Sequence, residues 1–243
     1  MRMFRRALVV RMAFAAFALV LVLVFAIRMQ QYVLRFRAER LERDIASLTL
    51  SSTSFEQTQV LFRRWGAVFD DGPCEKGKCS AGIALGDFTH AHPGFLVYHQ
   101  RLLRLYEILG GRPTVVNAHI TILDGFVHRK SFSVYTDVSP CEAGSCGSYG
   151  YTLMGVSTTS DSIGVDQMSR HPSYRIGWPG GCEICVEIYA RFTPQASPED
   201  VERAGRLDFS CVTRWVTPCK TQADIMPGAW KQAEKDRQES SAK

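Results

Sequence analysis

The chain has 243 residues, is 46% hydrophobic and carries a net charge of +5, enough for one well-buried domain and against two large ones. Residues 1–43 hold nine Arg against Glu39 and Glu42, a balance of +7, while the other 20 basic and 22 acidic residues leave the remainder at −2. A nucleic-acid-binding domain carries a basic patch on its own surface, so no nucleic-acid partner is expected.

Residues 12–27, MAFAAFALVLVLVFAI, are apolar without a charge. Counted from Ala7, with only Arg11 interrupting, the run reaches the roughly 20 residues of a membrane helix. The long stem of Arg11 lets its charge snorkel to the headgroups. Val24-Phe25-Ala26 offers a signal-peptide cleavage site, but Arg28 follows almost directly and the apolar core runs up to the cut. An uncleaved signal anchor over 7–27 is therefore the better reading. It makes the lipid bilayer the first expected partner.

Charge does not orient that anchor. Arg2, Arg5 and Arg6 precede it, whereas Arg28, Arg35, Arg37, Arg40 and Arg43 follow, against the positive-inside tendency for an exported body. The eight cysteines all lie beyond residue 73. An even, clustered set behind an export signal reads as disulfides. Residues 1–6 are then cytoplasmic and the body lies in the periplasm or on the cell surface. The competing arrangement is a cytosol-facing body with zinc thiolates.

Residues 28–50 read as a helical stem. Tyr32, Val33, Phe36, Leu41, Ile45 and Leu48 supply an apolar face, and Glu39 and Arg43 make an i,i+4 pair. The stem is either a solvated stalk or a short coiled coil that forms a homodimer. Thr53 and Glu56 fit a capping box for a helix over 54–65 that ends at Gly66, with Val60, Leu61 and Trp65 buried. This helix opens a disulfide-stapled domain over 51–230. A second soluble helix falls within 92–111, closed by Gly110-Gly111 as a glycine C-cap.

The period then changes to two. PTVVNAHITILDG alternates as a half-buried strand, and Asp124-Gly125 signals a hairpin with FVHRKSFSVYTDV as the return strand. A two-residue loop would pair Asn117 with Phe132 and mix the faces. An odd-length loop with Gly125 at positive φ restores them, because one residue of slip reverses every side chain. Further strands are predicted near 150–158, 184–192 and 207–213, and a short helix at 199–205 behind the cap in ASPED. MPGAW at 226–230 reads as a plug docking onto the domain, and residues 231–243 as a charged disordered tail. His119 falls on the polar face of its strand and His128 near the hairpin. The fold class is α+β: an N-terminal transmembrane helix and stem, then a mixed domain with an antiparallel sheet and at least two helices.

The cysteines fall into near pairs: Cys74 and Cys79, Cys141 and Cys146, Cys182 and Cys185, Cys211 and Cys219. Pairing within each loop is the simplest assignment, and each small ring stabilises by about 2 kcal/mol in the chain-entropy model. The spacings also suit zinc, but thiolates outside the cytoplasm tend to oxidise. Cys182-Glu183-Ile184-Cys185 invites a redox reading, which needs a lowered thiol pKa from a helix N-terminus or cations. The residues after Cys185 alternate as a strand, Glu183 and Glu187 raise the thiol pKa, and HPSYRIGWPGG offers no clear strand before it. Haem attachment needs His at 186, which is Val.

Asp87, His90 and His92 in DFTHAHPG form a conceivable metal site, though a polar loop entering a helix explains them as well. No nucleophile elbow, P-loop or zinc-protease motif is present. Trp65, Trp178, Trp215 and Trp230 either line a ligand groove or anchor the core. The reading is a binding or scaffolding module of the cell envelope, for an envelope protein or a small ligand. It expects no cofactor and points away from an enzyme. The alternatives are a membrane-tethered thiol-disulfide oxidoreductase using Cys182 and Cys185, or a cytosol-facing zinc module.

Overall fold

No glycine or proline interrupts residues 2–46, and they form one helix, α1 (Arg2–Ala46). The computed structural model describes residues 2–70, 72, 74, 77–87, 100–140, 151–162, 173–177, 186–194, 196–214 and 218–241. Along the first half of α1 the side chains from Val9 to Phe25 are exposed, except the half-buried Val24. The second half behaves differently. Ile27, Gln31, Leu34, Ala38, Leu41, Ile45 and Leu48 are all buried. They alternate by four and three residues, the narrow seam of a coiled-coil helix.

That seam lies on the domain's own sheet. Leu34, Ala38, Leu41, Ile45 and Leu48 belong to the main core cluster with Ile83, Val116, Ile120 and Val134. The segment expected as a stalk is thus a core element. Tyr32, Val33 and Phe36, expected on its packed face, are exposed instead. Small Ala38 and polar Gln31 complete the seam, which an apolar count alone passes over.

Among the described residues the sheet has seven strands in the order β1 (Val68–Phe69), β2 (Cys79–Gly86), β3 (Thr114–Leu123), β4 (Phe126–Pro140), β5 (Tyr151–Asp161), β7 (Val186–Phe192) and β6 (Ser173–Gly177). Neighbours are antiparallel except β5 and β7. The inner face carries Ala81, Ile83, Val116, Ala118, Ile120, Phe132, Val134, Val156, Ile188, Ala190 and Phe192. α2 (Phe55–Trp65), α3 (Gln100–Ile108), α4 (Pro198–Gly205), α5 (Ser210–Thr213), α6 (Gln222–Ile225) and α7 (Pro227–Ser241) complete the described residues.

The β3–β4 hairpin solves its register differently from the sequence expectation. Leu123 pairs with Phe126, so the loop is the two residues Asp124-Gly125, at φ 51° and 80°. Both are left-handed, as a primed turn requires. Ile122 pairs with Val127 and Thr121 with Arg129, so His128 is an extra bulged residue. The bulge supplies the single-residue shift that an odd loop was expected to supply. Beyond it Ala118 faces Phe132 and both point into the core. The tip is held from both sides, since Phe55 N–H donates to Gly125 O at 2.8 Å and Gly125 N–H donates to Gly77 O at 2.9 Å.

Several local expectations shift. The α2 capping box is Ser54 with Gln57, one residue later than Thr53 and Glu56, although Gly66 ends the helix in the left-handed region as expected. Its buried face is Thr58, Leu61 and Phe62, and Val60 is exposed. Residues 207–213 are not a strand. The Asp208 carboxylate accepts from Ser210 N–H at 2.8 Å and turns the chain into α5. Leu207, Phe209 and Cys211 are buried while Asp208 and Ser210 are partly exposed, so burial alternates over 207–211 although the chain is turning into a helix.

β2 and β6 are strands the sequence did not announce. β2 alternates in burial, but alanine and glycine mask that in composition. α4 starts at the Ser197 cap, which accepts from Asp200 N–H at 3.0 Å. Of the tail expected to be disordered, residues 231–241 belong to α7, with Ala229 and Ala233 buried just after buried Met226, and Gln232 and Asp236 hydrogen-bonded at 2.8 Å on its exposed side. A Cβ on Gly228 would stand 2.1 Å from Arg203 O, so only glycine admits α7 this close to α4.

Leu41→Ala is expected to destabilise the domain by about 2–5 kcal/mol. Phe36→Ala, on the exposed side of the same helix, is expected to change little. Urea unfolding of the full chain in detergent compares the two.

Candidate functional site

α1 ends at Ala46, before it has covered the whole inner face of the sheet. Beside its last turn lies a cleft of about 730 Å³ between α1, β4, β5, β7 and α4. Ile45, Ala46, Phe132, Phe192, Ala196, Pro198 and Val201 give it apolar walls. Ser131, Thr158 and Ser160 add hydroxyls, and Glu42, Arg43, Lys130, Glu202 and Arg206 add charge. A second hollow of about 540 Å³ holds Arg35, Glu39 and Arg203. Glu42, Arg43 and Arg206 line both.

Lys130 is placed here by the hairpin register. It pairs with Ile120 and Ser160 and so shares the inward parity of Phe132. An ammonium at such a position must find oxygens. It donates to Ile45 O at 3.2 Å, Ala46 O at 3.0 Å and Leu48 O at 2.5 Å, satisfying the open carbonyls at the α1 C-terminus. Burial lowers its pKa to about 8, while those carbonyls and the negative end of the helix favour the charged form.

Glu42 lies on the wall common to the two hollows. One carboxylate oxygen accepts from Leu207 N–H at 3.3 Å. Burial raises its pKa to about 7, opposed by the Leu207 bond and by Arg43 and Arg206, and assisted by Glu39. A carboxyl poised near neutrality on an apolar cleft can exchange a proton or accept a ligand's hydrogen bond.

The residues expected from the sequence lie elsewhere. Asp87 is fully buried and accepts from Tyr106 Oη at 3.0 Å and Thr114 N–H at 3.2 Å. Burial and Asp87 together push the Tyr106 phenol far above its ordinary range. Asp87 thus ties α3 to the start of β3. His90 and His92, its expected metal partners, lie outside the described residues. Among the described residues, no group of three or more His, Cys, Asp or Glu is placed to hold a metal.

Cys74 is bonded to Cys79, and Cys211 to Cys219. Cys141, Cys146, Cys182 and Cys185 lie outside the described residues. The strand expected after Cys185 is present as β7, and β6 precedes the motif where the sequence offers no clear strand. Trp65 is an anchor, donating from Nε1 to Asp44 Oδ2 at 2.8 Å. Trp230 packs on the core, while Trp178 and Trp215 lie outside the described residues.

His119 bonds Asp70 at 2.7 Å on the solvent side. The bulged His128 sits within 2.5 Å of Ser162 Oγ through Nδ1. Asp161 stands 3.7 Å from its Nε2 and 3.3 Å from the Arg191 guanidinium. Ser162, His128 and Asp161 thus meet in space. The acid is too far from the ring to orient it by a hydrogen bond, so the group serves as a polar clamp on the hairpin. No family model, curated protein or solved structure matches this chain.

Lys130 had a sequence signal, since a lysine shares the inward parity of Phe132. Glu42 had none, because its environment comes from Leu207, 165 residues away.

The Glu42 carboxyl holds its proton to higher pH folded than unfolded, between 4.5 and about 7. The unfolded chain therefore binds fewer protons in that window, and this group lowers stability as pH rises through it. Glu42→Gln is expected to flatten that decline and to stabilise the domain at pH 8 by about 1–3 kcal/mol. Urea unfolding at pH 5 and pH 8 measures both values.

Proposed function

We propose that the protein is a single-pass membrane protein with its C-terminal domain in the periplasm or on the cell surface, acting there as a binding module of the envelope. The cleft beside the α1 C-terminus is its ligand site. The ligand class is an amphiphile: an apolar body for the walls and an anionic end for Arg43 and Arg206. The observation that carries this reading is the pairing of apolar walls with cations in one cleft of about 730 Å³, a size typical of small-ligand sites.

The location has separate support. One helix among the described residues is long and apolar enough to cross a membrane. The disulfides Cys74–Cys79 and Cys211–Cys219 suit an oxidising compartment. At 1.5 Å per residue, Ile45 stands roughly 27 Å along α1 from Ile27, so the ligand is held well clear of the bilayer.

A dansyl-labelled fatty acid is the probe for the protein in nanodiscs. Laurate is expected to displace it and dodecylammonium is not, while Val201→Trp, which fills the cleft, weakens probe binding at least tenfold. Equal binding by Val201→Trp and the parent protein rejects this site.

Thiol titration of the unfolded, unreduced protein is expected to find no free cysteine. Selective reduction of the Cys182–Cys185 pair by mild thiol, with electron transfer lost in Cys182→Ser, would favour an oxidoreductase instead. Eight free thiols with bound zinc would overturn the topology.

A further inference from the structure

The base of the domain carries a short helix whose exposed side is unlike the rest of the surface. α3 buries Leu103 and Tyr106 against Ile27, with Leu109 packed beside them. Gln31 fixes the contact, donating from Nε2 to Tyr106 Oη at 2.7 Å and to Arg112 O at 3.1 Å. The Arg28 guanidinium lies against Gly110, where the helix has ended. α3 is therefore docked onto the first turn and a half of α1 after the apolar run.

Its other side exposes Leu102 (38%), Leu105 (47%) and Ile108 (76%), three residues apart and so on one face. Arg101 and Arg104 are exposed beside them. Isolated exposed leucines are ordinary. Three on one face of a nine-residue helix, flanked by arginines, make an amphipathic surface of the kind that lies in a membrane interface.

The position of α3 along α1 identifies what covers that face. Residues 7–27 span about 31 Å at 1.5 Å per residue, matching a hydrocarbon core of about 30 Å. Ile27 then stands at the hydrocarbon boundary, and α3, which touches it, stands at headgroup level. The uncovered side of α1 stays apolar just past this point, through Met29, Tyr32 and Val33, and tyrosine is enriched at that depth.

We propose that α3 is an interfacial helix. Leu102, Leu105 and Ile108 enter the boundary between headgroups and acyl chains, and Arg101 and Arg104 meet the lipid phosphates. This rests on the reading of residues 7–27 as a membrane span. The bilayer then holds the domain at two places, the span and α3, and sets its tilt.

The test uses the full chain in phosphatidylcholine and phosphatidylglycerol vesicles with brominated acyl chains, which quench tryptophan by contact. Three variants each add one tryptophan at an exposed site: Phe17→Trp in the span, Ile108→Trp on α3, and Val60→Trp on α2 as a control away from lipid. After subtraction of the parent signal, the added emission is expected to be lost in Phe17→Trp and Ile108→Trp and kept in Val60→Trp. If Phe17→Trp is not quenched, the span itself is wrong. If Phe17→Trp is quenched and Ile108→Trp matches Val60→Trp, the span stands and the interfacial helix is refuted. A dimer of Ile108→Trp that excludes bromine gives that second result and assigns the face to another copy.

Discussion

The rest of the structure depends on the seam of α1 against the sheet. Six residues from Ile27 to Ile45, spaced by four and three, are buried along one helix that also carries the apolar run, and Leu48 continues the spacing just past its end. In an isolated helix such a stripe seeks a second helix. Here most of it finds the inner face of β2, β3 and β4, and the core forms around it. No boundary between the apolar run and the domain exists along α1. What holds residues 7–27 also holds the centre of the fold, and a tilt of the helix is a tilt of the sheet.

The cleft follows from where that helix stops. A parallel-sided layer would cover the inner face of the sheet completely. α1 instead ends over Lys130, whose ammonium binds its last carbonyls. Past that point Thr158 and Ser160 line the cleft, and α4 closes the far side with Gly205 against the Phe192 ring. The bulge at His128 matters for this arrangement. Without the one-residue shift, Lys130 would point to solvent and Arg129 inward. A local device near the hairpin tip thus decides which cation faces the cleft.

Much of this was legible before any coordinates. The apolar run, the period change at 114–123, the turn at Asp124-Gly125, the caps at Gly66 and Ser197 and the two described disulfides all rest on local chemistry. The failures share a cause, which is tertiary context. Ala38 and Gln31 are not read as core residues until a sheet lies against them. β2 turns Cys79, Ala81, Ile83 and Leu85 to the core, but Gly82, Ala84 and Gly86 on its other face give a weak strand signal. Residues 207–211 alternate in burial as a strand would, and the Asp208 bond to Ser210 N–H turns them into α5 instead. The end of the chain has a polar composition, yet Ala229 and Ala233 are enough to dock α7. Asp87 looked like a metal ligand beside two histidines, and its role became visible only through Tyr106 and Thr114. The Glu42 site joins residues too distant in sequence for any spacing rule.

Hydrogen exchange of the full chain in nanodiscs tests most directly whether α1 is both anchor and core. If it is, the amides of residues 34–46 exchange as slowly as those of β3 and β4, because only global unfolding opens them. Exchange there as fast as in the exposed end of α7, with the sheet still protected, would mean that the helix is a stalk and that the account built on its packing is wrong.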